Sequence, residues 1–242
     1  MRKLAFVFDM DDTIVPTDTI FAFFELYGKK EKAEELYEWS KEAPEKIAKA
    51  YAMPLEKVYK GIDVELLLNE VVAERGPIPV EKFRQVAEKL PLFTGVKEFF
   101  AKLQGKYGEN LFLLTSSYEP VAKAVAKRIG VLEENVMATK LRESARKVTG
   151  FLGPVMEAEM KEKTMRKMMG ERGISLRNCV AVGDGLLDKY FIGAVVRAGG
   201  LGIAVSDKKE LVEYSKAQVS MKEPVYAGIW KSIEEFGSKG EK

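Results

Sequence analysis

The sequence predicts an α/β protein: a Rossmann-like parallel sheet core interrupted by an inserted all-helical subdomain. Three observations carry this expectation. LAFVF at 4–8 is an unbroken apolar run of strand length, suited to a strand buried on both faces. From residue 91 onward, strand-like and helix-like stretches alternate, as they do where crossover helices join parallel strands. Between these regions, residues 16–90 read as successive helices. That stretch is too long for a simple connection, so the core is expected in 1–15 and 91–242 and the helical unit in 16–90.

The elements follow in order. After the first strand, DTIFAFFELYG places Ile20, Phe23, Phe24 and Tyr27 at i, i+3, i+4 and i+7, and Gly28 is the stop. Further helices are expected near 31–42, 45–52, 54–60, 63–75 and 79–90. The last of these has Pro79 in its first turn and Pro91 just beyond its end. VKEFFAKLQGKYG is a helix ending at glycine, LFLLT (111–115) a strand, and EPVAKAVAKRIG a helix with Pro120 in its first turn. NVMAT and KVTGFL are short strands, with a small ribbon between them as one arrangement. AEMKEKTMRKMMGERG is a helix, CVAVGD a strand, LLDKYFIGAVVRAG a helix and LGIAV a strand. A short helix, an edge strand AQVSM, a helix near 225–236 and a frayed tail GSKGEK complete the chain.

Composition excludes several classes. Lys and Arg number 39 against 37 Asp and Glu, a balance that gives no reason to expect nucleic acid or a membrane as partner. No apolar run approaches a membrane span, and the run after the basic start is too short for a signal peptide. The single cysteine, Cys179, cannot form an internal disulfide and reads as a small core residue, so a cytoplasmic location is expected. The absence of histidine removes every His-based triad, base and metal ligand. Chemistry has to run on carboxylate, hydroxyl, lysine or the lone thiol.

In an open parallel sheet, ligands bind beyond the carboxyl ends of the strands. The first strand ends in Asp9-Met10-Asp11-Asp12-Thr13 and the second in Thr115-Ser116-Ser117. CVAV ends in Gly183-Asp184-Gly185, with Asp188 four residues after Asp184. Lys161 and Lys163 open the helix ahead of that strand. Carboxylates so crowded repel one another unless positive charge is bound among them. The acidic loop is no EF-hand, because Ile14 stands where that pattern needs glycine. AGGLG near 198–202 precedes a strand rather than following one, so it is no dinucleotide fingerprint.

DMDDT resembles the Asp-x-Asp-x-Thr motif of the haloacid dehalogenase-like hydrolases. LFLLTSS is similar to their second motif and Lys161 to their third-motif lysine. GDGLLD resembles the fourth motif of the phosphoserine-phosphatase-like branch. The helical insertion after the first motif is similar to that branch's cap. The resemblance implies a Mg²⁺-dependent phosphatase acting on a small-molecule phosphate monoester. Asp9 would be the nucleophile and Asp11 the acid, then base. Thr115, Ser116 and Lys161 would hold the phosphoryl oxygens. Mg²⁺ would be held by Asp9, Asp184 and the Asp11 carbonyl, and Asp188 would support the lysine or a metal-bound water. Asp12 is a variable motif position with a solvated side chain.

Two departures stand out: Leu187 where the branch has Asn, and Ser116-Ser117 where Gly-Gly is common. Phosphotransfer to a hydroxyl acceptor uses the same residues, and a silent phospho-ligand-binding module is the alternative from another class. Asp18 stands where the branch places an acid against the substrate amine, and Phe21 lies one turn on. No arginine lies between Arg2 and Arg75 to grip a carboxylate. Phosphoserine is therefore expected to be a poor substrate.

Overall fold

A computed structural model describes residues 4–58, 62–156, 158–220 and 225–238. The first strand, β1, covers Ala5–Phe8. Helices α1 (Thr19–Glu25), α2 (Lys30–Glu42), α3 (Pro44–Ala50) and α4 (Ile62–Arg75) follow. Then come β2 (Ile78–Pro79), α5 (Val80–Lys89), α6 (Val96–Tyr107), β3 (Leu111–Tyr118) and α7 (Glu119–Arg128). Strands β4 (Val136–Thr139), β5 (Leu141–Ser144) and β6 (Lys147–Phe151) precede α8 (Ala158–Glu171). The chain continues through β7 (Cys179–Gly183), α9 (Lys189–Arg197), β8 (Leu201–Ala204), α10 (Lys209–Val212), β9 (Ala217–Gln218) and α11 (Val225–Ser238).

The main sheet has six strands in the order β4-β3-β1-β7-β8-β9, and every pairing is parallel. The order reverses at β1, where the chain winds first toward β3 and later toward β7. Such a reversal opens a crevice beyond the carboxyl ends of the central strands. Alternation along β1 explains how both faces are filled. Leu4, Phe6 and Phe8 point into one apolar layer, where Phe8 meets the rings of Phe99 and Phe100. Ala5 and Val7 point into the opposite layer with Met165, Met169 and Phe191. The free thiol of Cys179 is buried in that second layer.

The helical block between β1 and α6 joins the first layer rather than standing apart. Phe23 of α1 stacks on Phe83 of α5 at 4.3 Å, and both meet the edge of Tyr118 at the end of β3. No helix among the described residues is long and apolar enough to cross a membrane.

Several local expectations are revised. The block carries one short strand, β2, which pairs antiparallel with β6. The ribbon forms between β5 and β6, whereas the NVMAT segment joins the main sheet beside β3. The polar strand Leu141–Ser144 had no apolar alternation to reveal it. The helix expected at 54–60 is a single 3-10 turn at Leu55–Lys57, and residues 59–60 lie outside the described set. The edge strand ends at Gln218, and Met221 of the expected AQVSM run is outside that set. Helix α11 takes in Gly237 and Ser238 of the tail, and residues 239–242 also fall outside.

Truncating Phe23 to alanine should remove the stacked partner of Phe83 and leave a cavity under Tyr118. The expected cost is about 3–5 kcal/mol. Chemical denaturation of Phe23→Ala against the native chain measures it, and a loss below about 1 kcal/mol would contradict the shared core.

Candidate active site

Three strand ends meet at the crevice. Asp9 follows β1 directly, and its backbone N–H donates to the Val182 carbonyl of β7 at 2.9 Å. Beyond it the chain turns on itself: Ile14 N–H donates to the Met10 carbonyl and Asp12 N–H to the Val15 carbonyl, both at 2.8 Å. This loop is pinned from the far end of the sequence, because the Tyr226 hydroxyl of α11 donates to the Thr13 carbonyl. Thr13 in turn donates its hydroxyl to Asp184 Oδ1 at 3.1 Å.

Lys161 is the centre of charge. The residue is 3% exposed, and its ammonium donates to Asp9 Oδ1 at 2.6 Å and Asp188 Oδ1 at 2.7 Å. The neighbouring candidate, Lys163, is exposed. The other oxygen of Asp188 accepts the Gly185 N–H at 3.0 Å. Asp188 is thus held at both oxygens, and Leu187 in place of Asn does not loosen it. Gly183 has a steric reason to be glycine: a Cβ there would lie 2.5 Å from Asp188 Oδ2.

Carboxylate oxygens of Asp9, Asp184 and Asp188 all lie within 4.8 Å of one another. Hard oxygen donors at this spacing suit a small divalent cation. The Asp11 side chain turns the other way. Its Oδ2 accepts from the backbone and hydroxyl of Thr19, and its Oδ1 is buried with no partner. Thr19 also meets Ser117 Oγ at 2.5 Å, so a chain of hydroxyls backs the Asp11 carboxyl.

The remaining expected residues fall as follows. Thr115 is buried and lines the cavity, and its Oγ1 accepts the Ser117 N–H. Ser116 lines the cavity too, but its hydroxyl donates to the Met156 carbonyl, so that proton is already committed. The strand runs on to Tyr118 before α7 starts, so Thr115 does not sit at a helix start. Asp12 is exposed and has φ of 53°. Asp18 caps α1, accepting from Ile20 and Phe21 N–H. Phe21 packs edge-on against Tyr37.

These groups surround a cavity of about 440 Å³. Its other wall comes from the helical block, through Phe21, Tyr37, Lys41, Asp63 and Val64. Sequence reasoning missed Asp63, Tyr37 and Lys41, and Lys208 on the core side. An acid in the first turn of a helix usually answers the helix dipole, which hides Asp63 in the sequence. Burial pushes the Asp63 carboxyl up to about 6. Burial, and then the charge of Asp188, pushes Asp184 up to about 7. Asp9 and Asp11 are raised as well, chiefly by burial. For Asp9 the next cause is Asp188, with Lys161 opposing; for Asp11 it is Asp18. Burial and neighbouring acids together raise all four of these carboxyls.

Comparisons with known proteins give the family and the fold. Residues 6–192 match the family model described as haloacid dehalogenase-like hydrolase. The chain is 26% identical over 241 residues to a phosphoserine phosphatase of Archaeoglobus fulgidus, covering 98% of this chain and 63% of that one. It is 26% identical over 207 residues to a phosphoserine phosphatase of Haemophilus influenzae, covering 85% and 58%. The chain thus spans about three fifths of the length of these curated relatives. Its fold is similar to a solved phosphoserine phosphatase holding a phospho-aspartyl intermediate analogue. The TM-score is 0.66 at 19% identity, covering 97% of this chain and 99% of that one.

The raised carboxyls have a thermodynamic consequence. In the unfolded chain these acids titrate near 3.9. Between that value and their folded values of about 6 for Asp63 and about 7 for Asp184, the folded chain binds protons that the unfolded chain does not. Stability in chelator should therefore fall as pH rises from about 5 to about 7.5. Divalent cation should flatten that slope. Melting temperatures at pH 5.5 and 8, with and without Mg²⁺, measure this. Higher stability at pH 8 in chelator would contradict the assigned burial.

Proposed function

Because the chain belongs to the haloacid dehalogenase-like hydrolase family, in its phosphoserine-phosphatase-like branch, we propose that it hydrolyses a small phosphate monoester through an aspartyl phosphate on Asp9. The observation that carries the proposal is the buried Lys161 ammonium between Asp9 and Asp188, with Asp184 beside them. It sits at the carboxyl ends of β1 and β7, on a cavity of substrate size.

Lys161 leaves one Asp9 oxygen engaged and the other available to attack phosphorus. As the P–O bond to the leaving group breaks, its oxygen needs a proton. Asp11 is suited to give it, because burial favours its protonated form and its free Oδ1 is the atom without a partner. Once the alcohol departs, the ionised Asp11 takes a proton from water, which attacks the aspartyl phosphate. Phosphate leaves, and Asp9 is restored. Thr19 holds Asp11 in place through both transfers. Thr115, Ser116 and Lys161 line the cavity, where the threonine hydroxyl and the lysine charge would meet the phosphoryl oxygens.

Asp9 and Asp184, with the Asp11 main-chain carbonyl, would hold Mg²⁺, and Asp188 lies close enough to join through its carboxylate or a water. When bound, the ion would neutralise charge on the phosphoryl oxygens and bring them into line with Asp9. On this reading residues 16–90 act as the cap over a core of 1–15 and 91–242. Phe21, Tyr37, Lys41 and Asp63 are the cap's side of the cavity, and closing it would exclude water from the reaction.

Asp9→Asn should raise the barrier by at least about 4 kcal/mol, roughly a thousandfold in rate, because an amide is a poor nucleophile and ligand. Steady-state hydrolysis of an aryl phosphate measures the loss; a variant retaining a tenth of the activity would refute the nucleophile. Turnover should also stop in EDTA and return with Mg²⁺. Undiminished activity in chelator would refute the metal.

A further inference from the structure

The charged groups that the helical block contributes to the cavity are answered within the chain. Asp18 accepts the Ile20 and Phe21 N–H groups. Asp63 is eased by its own N–H, that of Val64 and the charge of Lys41. Lys41 in turn lies 3.4 Å over the Tyr37 ring and 3.5 Å from Glu38. On the core side, the charge of Lys208 opposes that of Asp12. No arginine lines the cavity among the described residues, so a carboxylate on the leaving group would find no planar partner there.

Beyond the phosphoryl site the cavity offers apolar surface on two walls. The helical block supplies Ile20, Phe21, Tyr37 and Val64, and the core supplies Leu186 and Leu187. Phe21 and Tyr37 meet edge to face, with centroids 5.7 Å apart and planes at 75°. An aromatic ring packs favourably against such a pair. The two leucines lie between Asp184 and Asp188 in a turn that is closed twice. Gly185 N–H donates to Asp188 Oδ2, and Asp188 N–H donates to the Gly185 carbonyl, both at 3.0 Å. This fixed turn carries the pair to the rim beside the acids. Leu186 is 44% exposed, and neither leucine joins either apolar layer of the fold, so core packing does not account for them. Leu187 also removes the amide that the resembling branch places at this point. A hydroxylated leaving group would lose water against these walls without gaining partners, whereas an apolar one would bury its surface.

We infer that Leu186 and Leu187 face Ile20, Phe21 and Val64 as an apolar clamp on the leaving group, so that the preferred substrates are phosphate monoesters of apolar alcohols that carry an aromatic ring. The inference rests on the phosphatase reading above. Leu187 and Leu186 set the preference from the core side.

The test compares kcat/KM for 2-phenylethyl phosphate, glycerol 1-phosphate, O-phosphoethanolamine and O-phosphoserine with Mg²⁺. All four are alkyl esters, so the leaving oxygens are alike. Acetyl phosphate is the reference phosphoryl donor, because it has no bulk for the clamp to hold. The native chain should favour 2-phenylethyl phosphate at least tenfold over each of the other three esters. The double variant Leu186→Ser/Leu187→Asn, checked for an unchanged fold by circular dichroism, should shrink that ratio at least fivefold, chiefly through KM, with acetyl phosphate turnover within twofold of native. Leu187→Ile should retain most of the preference. Equal or better use of any of the three polar esters by the native chain would overturn the inference, as would a preference that survives the double variant. Should the double variant not fold, the native ratios and Leu186→Ser alone decide, with at least a twofold loss of preference expected in that variant and an unchanged preference overturning the inference. Hydrolysis of acetyl phosphate without an apolar preference would refute the clamp and leave the phosphatase reading standing. No hydrolysis of any compound would refute the phosphatase reading. Calorimetric binding of 2-phenylethyl phosphate against glycerol 1-phosphate to the native chain then decides the clamp: tenfold tighter binding of the former supports it, and equal binding overturns it.

Discussion

The Lys161 ammonium, buried between Asp9 and Asp188, is the contact on which the arrangement of the crevice depends. It joins the ends of β1 and of the turn after β7 to the first helical turns of α8. Without a cation there, two buried carboxyls would face each other in a poorly solvated place. With it, one charge still remains uncompensated, and the adjoining Asp184 adds another. Burial alone would make the lysine easier to deprotonate, but the charges of Asp188 and Asp9 outweigh that effect and hold its proton above the usual lysine range. The sheet can therefore end in three converging acids only because α8 delivers its lysine to the same point.

The rest of the fold is organised to keep those strand ends in register. Parallel pairing sets Phe8 of β1 level with Leu113 of β3 and Val182 of β7, so Asp9, Thr115 and Asp184 all follow within two residues of that line. The two apolar layers hold the sheet from both faces, and α11 reaches back to fix the loop after β1 through Tyr226. The helical block is tied in by aromatic rings at α1 and α5 and by the β2–β6 pairing. Its free wall then faces the acids across the cavity.

Central strands were legible in the sequence because burial on both faces leaves an unbroken apolar run, and acids placed at the ends of such runs have no packing reason to be there. Edge features were not. β5 is polar and mostly exposed, and its turn uses Ala145 and Arg146 at positive φ, residues that announce no hairpin. The choice between Lys161 and Lys163 was open when each was taken alone, yet Lys161, Met165 and Met169 share a four-residue spacing that marks the buried face of α8. Asp63 could not be found so simply: only tertiary packing strips it of water. The direction of the Ser116 hydroxyl, toward Met156, is likewise a tertiary fact.

Cys179 gives the molecule a built-in clock. Its thiol lies in the second apolar layer, and burial pushes it up to about 12, so it is neither exposed nor ionised in the closed state. Modification has to wait until β7 separates from its neighbours. The same separation would carry off Asp184, which follows the last residue of β7. Thiol labelling and loss of the acidic crevice are therefore one opening event observed from opposite ends of a strand. Any ligand that holds the crevice shut slows the clock, tenfold for each 1.4 kcal/mol of binding free energy it contributes, roughly.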